Sequence, residues 1–392
     1  MRILLINYEY PPLGGGGGIE TRDLAEELAK RHTVHVLTMW YQGLLKEETR
    51  NGVVIHRVRV WGRTHLPTAT LRSMATFVPV AFFRGLTLVR RLRPDLINAH
   101  FVVPSGVPAV LLAKLFGLPL VVTLIGGDVY DPSKGVSPHR HALLRVTISW
   151  ILRQASAITA ISQDTKERAI QYHRAPETIE VIPLGLVPPV FSERSRSSLE
   201  DAPGHFHFIT VGRLIPRKGY RDLLQGFARM QETRAVLHIV GEGPLGPELR
   251  AECEQLGIAD RVRFHGRVTD EEKFQLLRAA DAYVSTPLHE GFGISFLEAM
   301  VVGLPILATD TGGQTDFLVA GKNALLVPPR RPEQIAHALD WLARDASLRS
   351  SMAAANRAAV QRYLIGETAR RYEELFQRVR GDGHTTYGTD RS

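Results

Sequence analysis

The sequence predicts an α/β protein made of two doubly wound domains, and three observations carry that expectation. Its 392 residues are too many for one small core and suit two domains of ordinary size. Short apolar runs alternate with helical patterns along most of the chain, the rhythm of a parallel sheet covered by helices on both faces. A stretch rich in Ser, Arg and Glu, residues 191–205, breaks that rhythm once, after which it restarts.

The elements follow in order. Residues 2–7 form an apolar strand, a Gly/Pro loop comes next, and residues 21–31 set Leu24, Ala25, Leu28 and Ala29 on one helical face. Further strands are expected at 34–37, 53–60, 96–99, 120–124, 157–160 and 181–183, closing a first domain over residues 1–190. After the linker at 191–205, strands at 206–211, 236–240, 262–264, 282–285, 306–308 and 324–327 build a second domain over 206–365. A helix at 366–380 is expected to return to the first domain, and residues 381–392, without apolar periodicity, form a disordered tail. Open α/β sheets bind ligands beyond the carboxyl ends of their strands, so two such domains are expected to face each other across a cleft.

Composition narrows the class. Hydrophobic content of 44% and charged content of 22% are globular values that argue against fibrous or disordered chains. The single cysteine, Cys253, has no intramolecular disulfide partner, and the apolar run at the amino end is too short for a signal peptide, so a cytoplasmic location is expected. The most apolar stretch, residues 101–125, is broken by Pro104, Pro108, Lys114 and Pro119 and reads as a helix followed by a buried strand. No transmembrane segment is predicted.

The net charge of +8 is one-sided: residues 1–190 carry 22 Lys+Arg against 14 Asp+Glu, while residues 191–392 carry 26 against 26. A basic first half suits an anionic partner, whether a phosphorylated acceptor, an anionic membrane or nucleic acid; a solvated basic surface kept for solubility is the plain alternative. Aromatic content of 7% and the lack of any nucleic-acid motif argue against nucleic acid. Between Arg72 and Arg93, Phe77, Phe82, Phe83, Leu86 and Leu88 accompany Arg84, Arg90 and Arg91. This reads either as an interfacial helix for anionic lipid, at the inner face of a membrane, or as a domain helix with its basic residues outward.

The densest chemistry lies at His289 to Gly303. Glu298 falls inside a strongly apolar helix, where a carboxylate needs a partner or water. Gly291 and Gly293 bare the backbone at the helix start, a site suited to phosphate, and Phe292, Gly293, Ile294 and Ser295 surround it. Glu290 just ahead would reach the group beyond the phosphate, and Glu298 would accept bonds from ribose hydroxyls. The loop from Val211 to Gly219 leaves a strand end carrying Arg213 and Lys218, two cations able to hold a leaving diphosphate without a metal. No Asp-x-Asp metal pair occurs. Turns at Gly241-Glu242-Gly243 and Gly266-Arg267-Val268 could wall a nucleotide base.

In the first domain, Gly14 to Gly18 lies between strand and helix, but no register gives Gly-x-Gly-x-x-Gly, and the strand at 34–37 ends in Thr38 rather than an acid. A nicotinamide-binding domain is thereby disfavoured, and no phosphate-binding Gly-x4-Gly-Lys-Ser/Thr loop occurs either. His100 and Asp128 follow strands and point to the same edge.

With these residues assembled, the chain resembles the large family four of retaining glycosyltransferases, which have two facing Rossmann-like domains, the GT-B fold. The likeness runs from Gly17-Gly18 through Pro94-Asp95, His100, Gly126 to Asp128, Ser162, Gly212-Arg213, Lys218, Gly241 to Gly243, Glu290 to Glu298 and Gly312-Gly313. The resemblance implies that Arg213 and Lys218 bind the donor diphosphate, Glu298 the ribose and Glu290 the transferred sugar. It implies that Gly17 and Gly18 approach the diphosphate or sugar and that His100 lies by sugar and acceptor, with Glu290, His100 and Asp128 as catalytic candidates. The sequence departs from the common pattern at Ile125, Leu184 and Asp316, positions that bear on donor-sugar contacts. The implied activity is retaining, metal-independent transfer from a UDP- or GDP-sugar to a glycan, lipid-linked or small-molecule acceptor, without a cofactor, in cell-surface polysaccharide or glycolipid synthesis. A sugar phosphorylase or sugar-nucleotide epimerase, or a non-enzymatic binder of anionic polymer, are the rival readings.

Overall fold

The computed structural model describes residues 1–66, 68–133, 137–189, 199 and 204–382. They divide into two compact units, one made of Met1–Gly185 and the helical segment from Ile365 onward, the other lying within Leu186–Leu364. The first boundary falls at Gly185 rather than at 190, and most of the expected linker lies outside the described residues.

Unit 1 begins with β1 (Arg2–Ile6), α1 (Gly16–Ala29), β2 (Thr33–Met39), β3 (Glu47–Arg50), β4 (Val53–Val58), α2 (Leu71–Leu92) and β5 (Leu96–His100). It continues with α3 (Gly106–Phe116), β6 (Leu120–Leu124), α4 (Ala142–Gln154), β7 (Ala157–Ala160), α5 (Gln163–His173) and β8 (Glu180–Val181). The eight strands run in the order β3-β4-β2-β1-β5-β6-β7-β8, all parallel except for the antiparallel β3 and β4. Both faces of the sheet are covered, so β1 is apolar after Arg2: Leu4 and Ile6 enter one core cluster, Ile3 and Leu5 the other. In α1, Leu24, Ala25 and Leu28 are buried, as the helical period requires.

β3 has no counterpart among the sequence-predicted strands because its Glu-Glu-Thr-Arg sequence carries no apolar signal. It is an edge strand, where charged residues cost little and discourage further pairing. The turn after it, Asn51-Gly52, has positive φ at both positions (48° and 82°), the two-residue geometry that joins antiparallel strands.

Unit 2 contains β9 (Phe206–Val211), α6 (Tyr220–Ala228), β10 (Ala235–Val240), α7 (Gly246–Gln255), β11 (Val262–Gly266), α8 (Asp270–Ala279) and β12 (Ala282–Ser285). Then come α9 (Ile294–Val302), β13 (Ile306–Thr309), β14 (Ala324–Val327), α10 (Pro332–Arg344) and α11 (Ala346–Ala359). Its six parallel strands are ordered β11-β10-β9-β12-β13-β14.

The last helix, α12 (Ile365–Asp382), packs with unit 1, burying Ile365, Ala369, Tyr372, Leu375 and Phe376 in the core cluster that contains Ile3 and Leu5. The Tyr372 hydroxyl lies 3.3 Å from both Thr123 Oγ1 and Thr159 Oγ1, which ties the helix to β6 and β7.

Each sheet reverses its winding direction once, between β1 and β5 in unit 1 and between β9 and β12 in unit 2. Loops leaving the carboxyl ends of strands at such a point diverge and open a crevice for ligands. Among the described residues no helix is long and apolar enough to cross a membrane.

Candidate active site

In unit 2 the reversal point brings together the loop after β9 and the loop after β12. Gly219 is in the left-handed region (φ +68°), and a Cβ there would lie 1.8 Å from Thr286 O, so only glycine lets the two loops touch. Thr286 Oγ1 donates to Gly219 O at 3.0 Å and fixes that contact. The result is to aim Lys218 at Glu290.

Lys218 Nζ donates to Glu290 Oε2 at 2.5 Å, and Arg217 Nη1 donates to Oε1 at 3.2 Å and to His289 O at 3.3 Å. Glu290 is 7% exposed. Burial alone would raise its carboxyl pKa, but Lys218 and then Arg217 outweigh burial and hold it at about 2. Arg213 is exposed and its side chain has no hydrogen-bond or ion-pair partner among the described residues. The loop therefore presents one free guanidinium beside two cations that share a single carboxylate.

α9 starts at this carboxylate. Gly293 (φ +94°) precedes it and no side chain caps it, so its first N–H groups and the positive end of its dipole are available to an anion. Glu298 on α9 is 8% exposed and accepts from Lys273 Nζ of α8 at 2.7 Å. The side chain of Phe292 is 1% exposed and packs against Phe317 and Tyr363, at centroid distances of 5.1 and 6.3 Å, so this residue faces a ligand only with its backbone. Ser295 is also buried, its side chain bonded to Tyr283, while Ile294 is half-buried at the helix start.

The two glycine turns stand along the same edge. Leu214 N donates to Glu242 O at 3.0 Å, so the turn after β10 stacks on the Arg213 loop. A Cβ on Gly266 would lie 3.7 Å from Glu242 Oε1, which brings the turn after β11 beside it. Arg267 is exposed and Val268 half-buried.

Unit 1 builds its own edge around the loop after β1. A Cβ on Gly17 would meet Phe101 Cζ at 2.4 Å and one on Gly18 would meet Leu13 O at 3.0 Å, so these two glycines serve close packing; Gly15 and Gly16 are the ones facing open space.

His100 is fully buried. Its Nε2 lies 2.8 Å from Asn98 Oδ1, and its Nδ1 lies 3.1 Å from Thr21 Oγ1 and 3.6 Å from Glu20 Oε2. Asn98 Nδ2 donates to Val121 O and Thr123 Oγ1, which fixes the amide so that Oδ1 accepts from His100. Thr21 Oγ1 donates to Gly17 O at 2.8 Å and accepts from Asn7 Nδ2 at 2.7 Å. Asp128, 5% exposed, accepts from Ile125 N at 2.9 Å and Val102 N at 2.7 Å. In this structure both residues, expected as catalytic, hold other groups in place: His100 fastens β5 to the start of α1, and Asp128 clamps the loops after β5 and β6.

The sequence reading missed Arg217, Lys273, Glu20, Thr21 and Asn98. Arg217 was legible as the residue beside Lys218. The others become visible only once helices are stacked on strands. Among the described residues no group of three or more His, Cys, Asp or Glu could hold a metal.

Comparison with known proteins follows the two units. Residues 15–185 match the family described as Glycosyl transferase 4-like domain, and residues 191–359 match Glycosyl transferases group 1. The 2-deoxystreptamine N-acetyl-D-glucosaminyltransferase of Streptomyces fradiae is 31% identical over 343 residues, spanning 80% of this chain and 79% of that protein. Among solved structures, sucrose-phosphate synthase from Thermosynechococcus elongatus gives a TM-score of 0.83 at 23% identity over 97% of this chain and 99% of that one. Anabaena HepE in complex with UDP gives 0.78 at 22% identity over 96% and 100%. At these identities the two structures bear on the fold alone.

The Glu290 cluster has a pH signature. Its folded pKa of about 2 lies below the ordinary 4.5, so its stabilisation is fully present above 4.5 and is lost as pH falls towards 2. In denaturant titrations, the stability difference between wild type and Glu290→Gln should be flat at neutral pH and shrink through that window. A difference that does not change with pH would contradict the ion-pair assignment.

Proposed function

Because the chain belongs to the glycosyl transferases of group 1 and has the GT-B fold, we propose that it moves a hexose-type sugar from a UDP- or GDP-sugar to a glycan, lipid-linked or small-molecule acceptor, with retention of anomeric configuration. The observation that carries this reading is the cluster at the unit 2 reversal point. An uncapped helix start, Arg213, Lys218 and Arg217 offer positive charge to a diphosphate, and the Glu298 carboxylate lies on the same helix.

In the proposed reaction the bond from the anomeric carbon to the diphosphate oxygen breaks as the acceptor oxygen attacks from the same face. The acceptor proton passes to the departing diphosphate oxygen, giving a glycoside and a nucleoside diphosphate. Fixed cations stabilise the charge that develops on the leaving group, which supports the metal-independent form of the reading. Glu290 contacts the transferred sugar, and Glu298 accepts from ribose hydroxyls. The buried Cys253 suits a reducing compartment, which supports a cytoplasmic site of action, and cell-surface polysaccharide or glycolipid synthesis is the pathway class this reading favours.

A peripheral contact with anionic membrane extends the reading. The outward stripe of α2 exposes Leu71, Arg72, Ala75, Pro79, Phe83 and Arg90, and Trp61 beside it is 80% exposed. A cavity of about 610 Å³ between α2 and the β3–β4 edge is lined by Lys46, Glu47, Arg57, Arg59, Phe83 and Arg84, with Glu47 paired to Arg84 at 3.2 Å and the other cations outnumbering it. Apolar wedges set among cations suit the head-group region of an anionic bilayer.

Incubation with UDP- or GDP-sugars and candidate acceptors should release nucleoside diphosphate. Arg213→Ala, at an exposed and unpaired position, should lower that release on the order of tenfold while leaving the melting temperature unchanged. Unchanged release, phosphate-dependent release of sugar, or product formed without an acceptor would each count against the assignment. For the membrane contact, phosphatidylglycerol vesicles at low salt should co-sediment the wild type, phosphatidylcholine vesicles should not, and Phe83→Glu with Trp61→Glu should abolish binding. Equal sedimentation of wild type and variant would remove that contact from the account.

A further inference from the structure

Glu298 lies within the apolar helix α9, and a carboxylate 8% exposed needs a counter-charge to remain ionised. Lys273 supplies it from α8. Its ammonium donates to Glu298 Oε1 at 2.7 Å and to Asp270 at 2.8 Å. Its side chain is 14% exposed, whereas that of Asp270 is 85% exposed. Oε2 of Glu298 has no hydrogen-bond or ion-pair partner among the described residues. α8 is capped by Thr269, immediately after the Gly266-Arg267-Val268 turn. One ammonium therefore joins the buried carboxylate on α9 to the helix start that follows the turn beside Glu242.

We infer that Lys273 is a positioning residue for donor binding: it holds Oε1 of Glu298 so that Oε2 is presented to the ribose hydroxyls. The inference rests on the proposed ribose-binding role of Glu298. Lys273 itself does not touch the donor.

The electrostatics point the same way. Burial raises the Glu298 pKa above its ordinary value, and Lys273 is the largest influence opposing it, followed at longer range by Lys218. Burial also works against the charge on Lys273, but Glu298 and Asp270 outweigh it and leave the ammonium firmly protonated. Asp270 pushes Glu298 upward, so the groups facing this carboxylate are Lys273 and Asp270 on α8, Lys218 on the loop after β9 and Tyr283 on β12. Without the ammonium, burial acts with less opposition. Glu298 then takes up its proton at a higher pH and ceases to be a carboxylate acceptor for two hydroxyls.

Calorimetric titration of UDP and GDP, each beside its 2′,3′-dideoxy counterpart, tests this in the full chain from mildly acidic to mildly alkaline pH. Lys273→Met should weaken binding of the ribonucleotide on the order of tenfold, with the loss setting in at higher pH than in the wild type. Lys273→Arg should restore most of it. The dideoxy nucleotides should bind wild type and Lys273→Met alike, which also shows that the variant is folded. If Lys273→Met weakens both nucleotide types equally, or neither, the inference is overturned while the ribose-binding role of Glu298 stands. If the wild type does not distinguish ribo from dideoxy nucleotides, that role falls and the inference falls with it.

Discussion

One buried carboxylate with two cations organises the carboxyl edge of unit 2. Glu290 can stay ionised at 7% exposure only because Lys218 and Arg217 reach both of its oxygens. Those cations reach it only because the loop after β9 closes onto the loop after β12 at Gly219 and Thr286, and because Gly313 N donates to Glu290 O at 2.8 Å. Removing one partner of such a cluster costs about 3–5 kcal/mol, since the remaining charge is left buried and uncompensated. The same arrangement stores positive charge beside the start of α9. In the proposed reading, a diphosphate arriving there competes with Glu290 for Lys218 and Arg217.

Unit 1 is organised around a buried network of side-chain hydrogen bonds. Asn7, Thr21, His100, Asn98 and Thr123 form one buried chain of polar contacts, and Tyr372 joins it from the last helix. A chain of this kind specifies position sharply, because each group that loses its partner is left buried and unsatisfied. It makes the start of α1 depend on β5 and β6, and both on α12. The C-terminal helix is thus part of the framework behind the glycine loop, even though it is remote from that loop in sequence.

Much of this was legible in the sequence, for reasons that can be named. The parallel strands could be read because both sheet faces are covered, which makes runs such as Ile3-Leu4-Leu5-Ile6 apolar throughout. Glu298 stood out because a charge inside an apolar helix is an anomaly in one dimension as much as in three. β3 escaped because an exposed edge strand has no apolar period, although Asn51-Gly52 marked its turn. Asp128 follows the end of β6 and His100 is the last residue of β5, one step inside the strand, but position along a strand does not reveal burial, and both are committed to neighbours. The same holds for Gly17 and Gly18. A glycine accommodates a ligand and a phenylalanine ring equally well, and here Phe101 fills the space beside Gly17. Lys273 could not be read at all, since its partner is on another helix and nothing in its own segment sets it apart.

The central claim is that the loop after β9 and the start of α9 form one diphosphate cradle with Glu298 at its ribose end. A crystal structure of the chain soaked with UDP or GDP tests it most directly. The account predicts diphosphate oxygens within hydrogen-bond distance of Lys218 and at least one of Arg213 and Arg217, with the ribose hydroxyls on Glu298. A nucleotide bound elsewhere, or a diphosphate at the cradle with its ribose turned away from Glu298, would contradict it.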